Sequence, residues 1–183
     1  MQNIDKTQRF STRTLVTLAM LAALAVVLVW LFHPPIFQAV PFLEYDLADV
    51  PVLLAGFLFG PLAGLAVLLV ASVVQAFTVS AQSGLFGLIM HLLATGALVM
   101  ISSFYYRRHR TMKGAVIALM LGCLAMTVVM IPANLLVTPY FKGAPVQMVI
   151  DVMPFIVLFN IIKSAGNSLL TFLLYKRVKG LLK

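Results

Sequence analysis

The chain has 183 residues, 62% of them hydrophobic and 10% charged, with a mean hydropathy of +1.08 and a net charge of +8. Soluble domains run near 45–50% apolar and about 25% charged. The composition therefore excludes a disordered chain, a coiled coil and a nucleic-acid-binding arm, and the single cysteine, Cys123, excludes a disulfide scaffold.

A membrane-spanning helix needs about 20 apolar residues, so the length accommodates roughly six spans and little else. The first apolar run covers Thr14 to Phe32, longer than the h-region of a cleavable signal peptide. His33-Pro34-Pro35 stops it, and a polar interval with Glu44, Asp46 and Asp49 follows. The second helix is predicted over 48–60, with Pro51 in its first turn, where a missing N–H is harmless. Gly60-Pro61 fuses a helix stop with a helix start and opens a third helix over 61–78. Ser80 to Gly84 reads as a loop. A fourth helix is predicted over 85–106, and a fifth over 114–137 with Pro132 inside it and Pro139 just beyond. A loop with Lys142, Gly143 and Pro145 leads to the sixth, over 149–175, which contains Pro154. The reading is an all-α integral membrane protein, a single domain over 1–183 with six transmembrane helices.

The charges agree with that count. Lys6, Arg9 and Arg13 precede the first run; Arg107, Arg108, Arg110 and Lys113 follow the fourth; Lys176, Arg177, Lys179 and Lys183 follow the sixth. With cytoplasmic N and C termini these clusters share one face, as the positive-inside rule expects. Glu44, Asp46, Asp49 and Asp151 then fall on the other face. A five- or seven-helix count would split the basic clusters. The charge is a topology signal, and no nucleic-acid partner is expected.

Lys163 breaks the pattern. It lies inside the sixth run, too far from Lys176 to snorkel to that face, and a lysine near the bilayer centre costs about 2.5–3.5 kcal/mol on insertion scales. Either it faces a cavity, or it reaches water at the other end, or it pairs structurally with Asp151. Asn160 shares its helix face, and Asn134 lies two positions from Pro132. An ammonium offers donors and an amide offers both donors and acceptors, so the three together can read a planar, uracil-like edge. Each asparagine alone also fits interhelical hydrogen bonding.

Ala19 and Ala23 form a small-x-x-x-small face that admits another helix. Gly56, Gly60 and Gly64 repeat that spacing, but Pro61 interrupts them, which favours a turn and tight packing. His33, His91 and His109 lie in separate segments, and no metal site is expected. Ser83-Gly84 with His91 has the residue types of an intramembrane serine protease, although Ala81 stands in place of the usual glycine. No phosphate-binding loop of the Walker type exists, so the chain does not hydrolyse ATP by that means.

Tyr45-Asp46-Leu47-Ala48-Asp49-Val50-Pro51 and Gly56-Phe57-Leu58-Phe59-Gly60-Pro61-Leu62-Ala63-Gly64 resemble the second-helix segment of riboflavin-specific S components. These are the substrate-binding subunits of energy-coupling-factor (ECF) vitamin transporters. Ala125-Met126-Thr127 leading to Asn134, and Pro154-Phe155 leading to Asn160-Ile161-Ile162-Lys163, resemble the same family, and the resemblance covers nearly the whole chain. It implies a non-enzymatic, multi-pass protein of a prokaryotic plasma membrane that takes riboflavin as transported ligand, with no cofactor. Partners are a transmembrane coupling subunit, two ATP-binding cassette ATPases and membrane lipid. By the same resemblance Asn134, Asn160 and Lys163 contact the flavin's polar edge. Leu43, Glu44, Tyr45 and Asp46 belong to a loop over the pocket, and Ala19 and Ala23 meet the coupling subunit. His91 stands where some relatives carry an amide. Alternatives are an S component for another vitamin or a flavin analogue, an independent secondary carrier, or the protease. The carrier would show an internal inverted repeat, and none is found.

Overall fold

A computed structural model describes residues 11–181 and the side chains of residues 11–177. Lys6, Arg9 and Lys183 lie outside the described residues, as does the Lys179 side chain. Six helices follow one another: α1 (Thr12–Leu31), α2 (Asp49–Phe59), α3 (Pro61–Phe77), α4 (Gly84–Arg108), α5 (Met112–Lys142) and α6 (Val146–Leu181). Among the described residues there is no strand, only an isolated antiparallel bridge between Pro35 and Glu44. The protein is an all-α membrane protein. Four helices, α1, α4, α5 and α6, are long and apolar enough to cross a membrane alone.

The punctuation residues do what their chemistry allows. Ser11 caps α1 by accepting from the Thr14 N–H, and Thr111 caps α5 by accepting from the Gly114 N–H. Gly60 serves at once as the C-cap of α2 and the N-cap of α3 at φ +102°, a conformation that favours glycine. Three boundaries differ from the sequence reading by three residues or more, one of them the end of α6, which runs to Leu181 rather than to residue 175. α5 continues through Pro139 to Lys142, because in an apolar medium a helix that loses one hydrogen bond still satisfies more backbone than a loop would. It ends on Gly143 in the left-handed region, whose N–H returns to the Pro139 carbonyl. α6 starts at Val146, directly after Pro145, whose fixed φ suits a helix start.

α2 is the hub. It touches α1, α3, α4 and α6, and every residue from Asp49 to Phe57 is buried. Its last turn, with the C-terminal parts of α4 and α6, forms an aromatic knot. Phe57 stacks on Tyr106 at 4.4 Å, Tyr175 stands edge-on to both, and the Tyr106 hydroxyl donates to the Tyr175 oxygen at 3.1 Å. The ends of α2, α4 and α6 therefore share one end of the bundle, the one bearing Arg107, Arg108 and Arg110, here called the basic end. The loop between α1 and α2 marks the opposite, loop end. Ala25, Val29, Ala48 and Ala71 make a small-residue seam where α1 and α3 approach the start of α2.

Candidate ligand-binding site

α2 is only 11 residues long, about 16 Å, roughly half of a bilayer's hydrocarbon thickness. The preceding segment, 32–48, must therefore descend into the bundle to reach it. Non-helical backbone is tolerated at such depth only when protein covers it, and the descent is held accordingly. The Tyr45 N–H donates to the Pro34 carbonyl at 2.9 Å, and the loop packs Val40, Phe37, Phe42 and Leu43 against Val149, Ile156 and Leu135 of α5 and α6. Lys142 stands over the Phe42 ring at 4.6 Å.

At the foot of the descent lies a buried polar cluster. Lys163 Nζ donates to Asp46 Oδ2 at 2.6 Å, with both residues almost fully buried. The other Asp46 oxygen accepts from the Ala48 N–H at 3.0 Å, at the approach to α2. Asn167, one turn beyond Lys163, donates to the Asp46 carbonyl at 2.9 Å and to Asp49 Oδ2 at 3.2 Å. Asp49 Oδ1 accepts from Thr95 Oγ1 at 2.6 Å and faces His91 Nε2 at 3.5 Å. One face of α6 thus fastens loop 32–48 and the start of α2. Lys163 does not pair with Asp151, which is exposed and bonded to Gln147 on its own helix.

A cavity of about 800 Å³, mouth included, opens beside this cluster. Asn160, Lys163, Leu43, Glu44 and Asp46 line it, with Met90, Met126, Met130 and Phe159 as apolar lining and Ser72, Gln75 and His91 as further polar lining. Asn160 Nδ2 donates to the Ile156 carbonyl at 2.8 Å, which leaves its side-chain oxygen for a ligand. Asn134 lines a smaller adjoining cavity that shares Phe42, Leu43, Met90 and Met130 with the first. Its amide is engaged within α5, donating to the Met130 carbonyl at 2.8 Å and accepting from Thr138 at 3.0 Å. Tyr45 does not line the cavity. It turns toward α6, its hydroxyl 3.5 Å from Asn167 Oδ1, in space that exists because residue 166 is glycine. Burial pushes the Tyr45 phenol above its ordinary range, with the Asp49 charge adding to it. Partial desolvation likewise raises the Glu44 carboxyl, His33 opposing and Asp46 reinforcing the shift.

Asp46, Asp49 and His91 bring three potential metal ligands together, but the Lys163 ammonium already holds the cation position beside Asp46. Ser83 and His91 both line the cavity, yet His91 Nδ1 bonds Ser72 Oγ at 3.1 Å instead. Ser72 sits mid-helix in α3, where neighbouring N–H groups are spent on the helix and offer no oxyanion hole. Asp49, Asn167 and Thr95 were not legible as site residues. For Asn167 the signal is the buried polar stripe Asn160, Lys163, Ser164, Asn167, Ser168 and Thr171, spaced at three and four residues along α6.

The family model for the ECF transporter substrate-specific component matches residues 13–175. The riboflavin transporter RibU of Staphylococcus aureus is 31% identical over 179 residues, covering 93% of each chain. The riboflavin transporter FmnP of Bacillus subtilis is 29% identical over 181 residues, covering 91% of this chain and 92% of that one. A solved structure described as the S component of a bacterial ECF transporter superposes with a TM-score of 0.84 at 33% identity, over 93% of this chain and 98% of that one.

Proposed function

Because this chain belongs to the substrate-specific components of ECF transporters, a family of multi-pass cell-membrane proteins, we propose that it binds riboflavin at the outer face and delivers it to the cytoplasm. The observation that carries this reading is the cavity at the loop end, where Asn160 and Lys163 share the lining with methionines and Phe159. A flat heteroaromatic ring with one polar edge needs that division: apolar side chains for its faces, and a few placed donors and acceptors for its carbonyl and N–H groups. Riboflavin is such a molecule, and both full-length relatives above carry it in their names.

In this reading Asn160 and Lys163 take the polar edge, and Asn134 joins them when the partition between the two cavities, at Met130 and Leu43, shifts. Leu43, Glu44 and Asp46 cover the ligand as a lid, while Tyr45 anchors the lid to α6. The loop end faces outward and the basic end the cytoplasm, following the positive-inside rule. The chain performs no chemistry of its own. ATP hydrolysis comes from two ATP-binding cassette ATPases through a transmembrane coupling subunit. Ala19 and Ala23 are exposed and line an apolar groove between α1 and α3, the surface offered to that subunit.

The purified chain is expected to carry a flavin absorption spectrum and to quench riboflavin fluorescence at one site per chain. It should accumulate no flavin in vesicles until the coupling subunit and ATPases are added. Ala19→Leu with Ala23→Leu should leave quenching intact and abolish co-purification with the coupling subunit, since small side chains permit the close approach. Absence of flavin binding, or accumulation by the chain alone without ATP, would overturn the reading.

A further inference from the structure

A second cavity, of about 520 Å³ of empty space, lies at the basic end, remote from the loop-end site. It is lined by Gly56 to Gly60, Ser103, Arg107 and Arg110. No acidic residue takes part. Arg108, between the two lining arginines in sequence, is engaged elsewhere, its guanidinium 4.5 Å from the centre of the Phe104 ring. Arg107 and Arg110 are exposed, and among the described residues neither forms a hydrogen bond or ion pair.

Ser103 provides the independent sign of a missing ligand. It is 1% exposed and its hydroxyl has no hydrogen-bond partner. Its neighbour Ser102 shows how a helical serine is ordinarily satisfied, donating to the Leu98 carbonyl one turn back at 2.6 Å. Ser103 Oγ lies instead against the bare Cα of Gly56, where a β-carbon would clash with it. Next to it α3 begins at Gly60-Pro61 with no side-chain cap, so the positive end of a 17-residue helix dipole opens beside the arginines. The free carbonyls at the end of α2 would attract the same guanidiniums, but no such bond is made among the described residues. Leu62, 73% exposed and directly after Gly60-Pro61, supplies apolar surface beside the pocket.

We propose that this pocket is an anion site for the phosphate of an anionic phospholipid headgroup, with Arg107 and Arg110 as its charged walls and Ser103 Oγ as its neutral donor. Two guanidiniums match phosphate oxygens in charge and geometry. Basic pockets between transmembrane helices at the membrane surface suit headgroups, and the apolar surface beside this one accommodates the acyl chains a free phosphate lacks.

The test is native mass spectrometry of the full chain, released from nanodiscs of mixed phosphatidylcholine and phosphatidylglycerol. The wild type and Arg108→Gln should each retain one phosphatidylglycerol. Arg107→Gln with Arg110→Gln should lose it, with apparent affinity down at least about tenfold, and Ser103→Ala should weaken it less. Riboflavin quenching reports that each variant is folded. Equal loss in Arg108→Gln would mean a diffuse basic patch and overturn the proposal. So would a lower melting temperature of the double variant with lipid retention unchanged, since that places the arginines as caps on α2. A melting shift from inorganic phosphate equal to that from phosphatidylglycerol would keep the anion site but overturn its assignment to lipid.

Discussion

The two ends of the bundle solve opposite problems with the same helices. At the basic end Phe57, Tyr106 and Tyr175 close on each other, and Gly56 and Gly64 let α2 and α3 meet backbone to backbone and admit the Val99 and Ser103 side chains of α4. At the loop end the helices stand apart around a cavity, and the filling is polar: Asp46, Asp49, His91, Lys163 and Asn167. Lipid is as apolar as leucine, so burial by itself holds neither end together. Packing does so at the basic end, and hydrogen bonds and opposite charges do so at the loop end. In the proposed reading stability and binding are thereby separated along the bundle, and mutations should separate them too.

The largest effect is expected at Lys163, where the separation fails. From sequence, removing an intramembrane charge looks favourable for folding. The structure reverses that expectation, because Lys163→Met leaves Asp46 and Asp49 buried without their cation, a loss of about 3–5 kcal/mol. Melting temperature and riboflavin affinity should fall together, the latter ~10- to 150-fold. Adding Asp46→Asn should restore much of the melting temperature and little of the affinity. Recovery of both would make Lys163 purely a lid fastener.

Phe57→Ala should show the opposite signature at the basic end. In lipid the transfer part of a large-to-small loss largely vanishes and the packing part remains, so about 2 kcal/mol of stability should go while quenching in the folded fraction is unchanged. A changed affinity would mean that the two ends are coupled. Asn167→Ala removes three bonds to the lid and α2, costing about 1–2 kcal/mol in membrane. Its reading is faster hydrogen exchange across 34–48 with little change in the helices. Smallest is Glu44→Gln. A carboxyl whose folded pKa lies above its unfolded value destabilises the fold while ionised, and that cost disappears as pH falls through the folded value. The variant should melt slightly higher than wild type at neutral pH and identically near about pH 4.

The helices were legible because their ends are written locally. Pro34-Pro35, Gly60-Pro61 and Gly143 mark breaks by backbone geometry alone. Local signals fail where the environment outweighs them, as at Pro139, which reads as a stop and lies inside α5. Lys163 and Asn160 could be singled out because a polar side chain in a long apolar run is costly wherever it points. Their partner could not be read the same way. Asp46 and Lys163 are 117 positions apart, and Asp151 is far nearer in sequence. Asp49 was hidden by its position, since an acid at the start of a helix has an ordinary explanation in the helix dipole.

The ion pair at the foot of loop 32–48 also bears on kinetics. The ammonium proposed to greet the ligand is already held, at 2.6 Å, by the loop that covers the chamber. An arriving flavin must draw Lys163 from Asp46, or share it, before its own bond forms, and the loop must lift while this happens. Association is then expected to be gated by a conformational step and to run well below the diffusion limit. The same latch, once reset over the guest, opposes its departure. In the proposed reading the complex is kept by long residence rather than made by rapid capture, which suits a protein that holds its cargo until an energised partner takes hold.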